Sequence, residues 1–219
     1  MKRCITALAA LVLIALVGAR AFAVDPANLN RVTVANETGY NVNDLFFSPS
    51  DSNLWGADIL GSSRTLNNGE EATFFIHYPN RSNSFDILAI DEDGDAYLIP
   101  DFVITDGTPA LLEITFDEYQ GSYDMDQLAR VDLTNDSGYD MWYIFFSPGD
   151  SEMWGVDMLG GTEILGDGET LSLFVQVDDA ADRYDVLGVD EDEDLYGFSV
   201  EVSNEQTAIE YLIELTDVM

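Results

Sequence analysis

The chain is expected to be all-β: two tandem antiparallel β-sandwich domains behind an N-terminal signal helix. Three observations carry this expectation. The sequence repeats itself at an offset of 99 residues without a gap. Apolar residues alternate with polar ones along several segments of each copy, the period of a strand with one buried face. Beyond the first 23 residues no stretch carries a helical period, and Asn, Gly, Pro and Asp clusters punctuate the apolar runs.

The leader comes first. Met1-Lys2-Arg3 is basic, Ile5 to Ala19 is almost wholly apolar, and Ala21-Phe22-Ala23 supplies a small-x-small cleavage pattern. As a helix the apolar run would span roughly 22 Å, short of the ~30 Å hydrocarbon core. A signal peptide over residues 1–23, cleaved after Ala23, is therefore expected, with the product periplasmic or extracellular. Cys4, the only cysteine, precedes the apolar run, so it is not a lipoprotein cysteine. Residues 24–219 then hold no disulfide, thiol nucleophile or thiolate metal site.

The repeats follow: repeat one over 24–118, a linker over 119–129, and repeat two over 130–219. The offset aligns Arg31-Val32 with Arg130-Val131, and Phe46-Phe47-Ser48-Pro49 with Phe145-Phe146-Ser147-Pro148. It also aligns Trp55-Gly56 and Asp58 with Trp154-Gly155 and Asp157, and Asp91-Glu92-Asp93 with Asp190-Glu191-Asp192. Ala72, Phe74 and Ile76 become Leu171, Leu173 and Val175, while Thr73 and His77 between and after them become Ser172 and Gln176. Near each copy's end, Leu112, Ile114 and Phe116 become Tyr211, Ile213 and Leu215, read as one more inward-facing row. Phe85 to Asp91 reads as a central strand. Six or seven short strands per copy, with turn signals between them, make a sandwich.

Charge narrows the partners. Residues 24–219 keep five arginines and no lysine against all 42 acidic residues, a net charge of −37. Such a surface repels nucleic acid and anionic membranes, and also itself unless cations screen it. An acidic, lysine-free surface suits a high-salt habitat; binding of divalent cations is the sharper reading.

Two constellations are candidate sites. Asp91, Asp93 and Asp95, with Asp190, Asp192 and Asp194, put carboxylates at alternate positions between apolar strands. Converging oxygens of this kind would hold calcium; the same residues also make a solvated hairpin turn. The loop is not an EF-hand, because the sixth position, where glycine is required, is Ala96 or Leu195. Trp55 with Asp58, and Trp154 with Asp157, would stack on and hydrogen-bond a sugar; a core Trp followed by a tight-turn Gly explains the same residues. Asn36-Glu37-Thr38 and Asn135-Asp136-Ser137 match glycosylation acceptors but read equally as strand-end turns. The single histidine, His77, faces a glutamine in the other copy, so a histidine-based triad or metal site shared by both repeats is excluded. No phosphate loop or dinucleotide fingerprint is present. A non-enzymatic binding or structural module is expected; a carbohydrate-binding module is the alternative, and a secreted hydrolase the third reading.

The pattern Asn-x-Thr-Gly, Ser-Pro-Ser, Trp-Gly-x-Asp-x-Leu-Gly and Asp-x-Asp-Gly, at Asn36–Gly39, Ser48–Gly61 and Asp91–Gly94 with equivalents 99 residues on, resembles a family of small exported bacterial β-sandwich domains of unknown function. Members of that family often carry a cysteine on each side of the acidic hairpin, implying a disulfide; this chain has neither. Some carry an argininosuccinate lyase label, a large helical enzyme that nothing here resembles.

Overall fold

A computed structural model describes residues 29–77, 83–123, 128–151, 153–161, 163–177, 182–203 and 208–219. The leader expected at residues 1–23 lies outside them. Repeat one contributes β1 (Asn30–Glu37), β2 (Val42–Pro49), β3 (Glu71–His77), β4 (Asn83–Asp91), β5 (Asp95–Ile104), β6 (Ala110–Thr115) and β7 (Tyr119–Ser122). Repeat two contributes β8 (Leu128–Asp136), β9 (Met141–Pro148), β10 (Gly155–Val156), β11 (Thr170–Gln176), β12 (Asp182–Asp190), β13 (Leu195–Val202) and β14 (Ile209–Glu214).

Each repeat is a two-layered sandwich. In repeat one, the sheet β3-β1-β6 faces the sheet β2-β4-β5-β7; in repeat two, β11-β8-β14 faces β13-β12-β9. Alternation along the strands decides the layers. Val32 and Val34 of β1, Phe74 and Ile76 of β3, and Leu112 and Ile114 of β6 point inward against Leu45, Phe47, Ile87, Ala89 and Tyr97. β4 lies between β2 and β5, the central position read for Phe85–Asp91. It is apolar on both faces because its outer row, Leu88 and Ile90, is also covered: with Phe46 and Ala96 it packs against Trp55, Tyr123 and Leu128.

Three details differ from the expectation. The pairings β1–β6 and β8–β14 are parallel, so the sandwiches are not wholly antiparallel. The segment 119–129 is not simply a linker, since β7 pairs with β5 and β8 begins at Leu128. Phe116 and Leu215 are exposed rather than inward-facing, because β6 ends at Thr115 and β14 at Glu214, and a 3-10 turn follows each. After Thr115 the Glu118 carboxylate accepts the Thr115 amide at 2.8 Å, a capping box that closes the turn and breaks the strand's period of two.

Asn36 and Asn135, read as acceptor motifs or turns, are buried fasteners. Asn36 Nδ2 donates to the carbonyls of Tyr40 and Leu66, both at 2.8 Å, and Asn135 repeats this with Tyr139 and Leu165 at 2.7 and 2.9 Å.

The repeats are not side by side as independent units. β10, from repeat two, adds to the edge of β3 in repeat one, with Gly155 opposite His77 and Val156 opposite Ile76. Reciprocally, Ala57 of repeat one bridges to Val175 on β11 of repeat two. Each repeat lends the other the arm between its second and third long strands.

Candidate functional site

The exchanged arms hold the Trp-Gly-x-Asp motif. The Asp58 amide donates to the Phe174 carbonyl and the Asp157 amide to the Phe75 carbonyl, both at 2.8 Å. Val156 thereby enters the core of repeat one, and Ala57 that of repeat two. The arm bases are tied together as well. Ser52 Oγ donates to Asp150 Oδ1 at 2.6 Å, the Asn53 amide donates to Asp150 Oδ2 at 3.1 Å, and Ser151 Oγ donates to Asp51 Oδ1 at 2.9 Å. Gly56 is required where it stands, since a Cβ would lie 2.8 Å from the Phe47 carbonyl oxygen.

Asp58 and Asp157 are buried and turned into their own repeats. Asp58 Oδ1 accepts the amides of Leu45 at 2.9 Å and Leu60 at 3.0 Å. Asp157 Oδ1 accepts those of Ile144 at 3.1 Å and Leu159 at 3.2 Å, and its Oδ2 accepts that of Gly161 at 3.1 Å. Burial pushes Asp58 up to about 7 and Asp157 up to about 6, against the opposing pull of these amides. Their chemistry is that of a latch: one carboxylate joins the strand that precedes the arm to the turn that follows it.

This corrects the sugar constellation. Asp58 and Asp157 are enclosed by backbone amides and offer no oxygen to a ligand hydroxyl. Trp55 covers the outer apolar row of β2, β4 and β5, and Trp154 covers Phe145, Leu187 and Val189. The two rings seal sheet faces, and Tyr184 of repeat two donates its hydroxyl to the Trp55 carbonyl at 3.2 Å.

The acidic hairpins are placed as turns. Asp91 is buried; its Oδ1 accepts the amides of Asp93 at 3.0 Å and Asp95 at 2.9 Å, and its Oδ2 accepts the Tyr97 hydroxyl at 3.1 Å. Asp190 does the same with Asp192, Asp194 and Tyr196 at 2.9, 2.9 and 3.0 Å. Burial, then the partner carboxylate, pushes the phenols of Tyr97 and Tyr196 up, the latter to about 12. Asp93, Asp192 and Asp194 face solvent, while Asp95 Oδ1 accepts the Ser122 hydroxyl at 3.1 Å. Among the described residues no three His, Cys, Asp or Glu side chains converge on a point that would hold a metal ion. Of the six carboxylates, Asp91 and Asp190 hold the hairpin's own amides.

Sequence reasoning missed the exposed aromatic group of repeat one: Tyr40, Phe116 and Tyr119. The capping signal Thr115-x-x-Glu118 was the available clue that Phe116 leaves the strand.

No known family pattern and no curated protein matches the chain. Among solved structures, it is similar to a family 26 carbohydrate-binding module from Eubacterium rectale Amy13K, solved with maltoheptaose: 14% identity, 84% of this chain and 91% of the other covered, TM-score 0.23. It is also similar to a putative adhesin from Bacteroides ovatus: 9% identity, 88% and 92% covered, TM-score 0.20.

Proposed function

We propose that this chain is an exported, non-enzymatic binding or structural module whose two repeats act as one rigid body. The reciprocal exchange of the Trp-Gly-x-Asp arms carries this reading: each sandwich core is completed by the other repeat. The two carboxyls raised furthest by burial, Asp58 and Asp157, are bonded to backbone amides rather than aimed at a reacting group, which supports a scaffold over a hydrolase. Export is the reading of residues 1–23, and the acid-rich, lysine-free remainder suits a salty medium.

Two measurements test the proposal. Residues 24–219 are incubated with glycosidic, ester and peptide substrates, with no turnover expected; turnover lost in Asp58→Asn or Asp157→Asn would sink the non-enzymatic reading. Calorimetry of the same chain is expected to give one cooperative transition, and two separate transitions would sink the single-body reading.

A further inference from the structure

We propose that the exposed surface of Tyr40, Phe116 and Tyr119 docks a positively charged side chain of a partner protein. The three rings are 41, 56 and 38% exposed, although their neighbours in β5 and β6 are buried. Phe116 and Tyr119 stack with centroids 5.1 Å apart and planes 7° apart, so the two rings form one aromatic unit. Both rest edge-on against the buried ring of Tyr97, at 6.4 and 6.0 Å. Tyr97 is itself fastened to Asp91, and the capping box holds the backbone at Phe116. The platform is therefore preorganised.

Charge selects the occupant. Asp95 is the main cause holding the Tyr119 hydroxyl above its ordinary range, so the ring stays a neutral phenol beside a carboxylate. Tyr119 pairs with Tyr97 on β5, the strand that Asp95 opens, and Asp117 and Glu118 lie in the turn just before Tyr119. Glu92 reaches across to Asn41, the neighbour of Tyr40, at 3.2 Å. An aromatic face carries negative quadrupole charge, and with carboxylates around it the surface is complementary to a cation. An apolar partner would bury these acids unpaired, whereas a cationic side chain pairs with them as well as with the ring. Repeat two holds Tyr139, Leu215 and Val218 at the same offset, also exposed, where two aliphatic side chains replace the stacked pair.

That substitution supplies the test. The proposal rests on the binding-module reading, but hydrolysis and calorimetry leave it untouched, so the two can fail separately. The probe is an arginine hexapeptide titrated into residues 24–219 at 1 M salt, where diffuse charge is screened within about 3 Å. Affinity is read for both proteins by titration calorimetry, and in the parent the ring-proton shifts of Phe116 and Tyr119, followed by NMR, locate the peptide. The double variant Phe116→Leu/Tyr119→Val installs residues that the second repeat already carries at these positions, and keeps every charge. Its affinity for the peptide is expected to fall about 5- to 30-fold, two exposed cation–π contacts at roughly 0.5–1 kcal/mol each. Equal affinity in the variant, or no binding by either protein, overturns the proposal. So does a neutral gluco-oligosaccharide that moves the same ring signals while the peptide does not, which would make the surface a sugar platform.

Discussion

The amide of Asp58 in repeat one donates to the carbonyl of Phe174 in repeat two at 2.8 Å, while its side chain accepts amides from its own repeat. One residue thus fastens an arm at both ends, and Asp157 mirrors it against Phe75.

The exchange makes stability shared. Val156 belongs to repeat two but is buried in the core of repeat one. Val156→Ala removes two methyl groups and leaves a void, an expected loss of about 2 kcal/mol. Hydrogen exchange should show protection falling in β1 and β3 as well as in repeat two; a loss confined to repeat two would contradict the shared core.

The buried latch carboxyls set a pH dependence. Burial holds Asp58 at about 7 and Asp157 at about 6 in the folded protein, against 3.8 for an exposed aspartate. Raised carboxyls bind protons more tightly when folded, so their contribution is full below the unfolded value and is lost as pH climbs from about 4 to 7. Asp58→Asn keeps an acceptor oxygen and cannot ionise. Urea denaturation of the variant should show a shallower decline over that window than the parent. Asp58→Ala strands buried amides and should lower stability by about 3 kcal/mol near pH 4, with the difference from the parent shrinking as pH climbs.

Asp91 caps its hairpin through its own side chain. Asp91→Ala removes the acceptor for two amides and the Tyr97 hydroxyl, with an expected loss of about 2–4 kcal/mol. Thermal melting should show the same loss in calcium and in chelator at fixed ionic strength, and equal shifts of the parent with calcium and magnesium. A loss seen only with calcium would restore the ion-site reading of these loops.

The two hairpins share one left-handed backbone position but fill it with different residues. Gly94 has φ +79°, and its counterpart 99 residues on, Glu193, has φ +67°, in the left-handed region that disfavours a side chain. Glu193→Gly should raise stability by about 1 kcal/mol, read as an increase in Tm. Asp95 and Asp194, both outside that region, should show no such gain when changed to glycine.

Strand positions were largely legible because a half-buried strand must alternate: Ala72, Phe74 and Ile76 are inward as their period requires. Asp91 and Asp190 were legible as turn residues, yet the same carboxylates satisfy a metal-loop pattern, and only the position of nearby amides decides between them. Trp55 and Asp58 looked like a ligand pair because adjacency in sequence says nothing of burial; here the acid turns inward and the ring lies over a sheet.

By itself the sequence determined the duplication, the β class and the strand layers, because an offset of 99 and a period of two are properties of the order of residues. Only the tertiary structure decided which core receives each arm. Ala57 and Val156 occupy equivalent positions, so an arm folded onto its own repeat and an arm lent to the other bury the same kinds of side chain. The two arrangements differ in connectivity alone, and no local pattern of hydrophobicity encodes that choice.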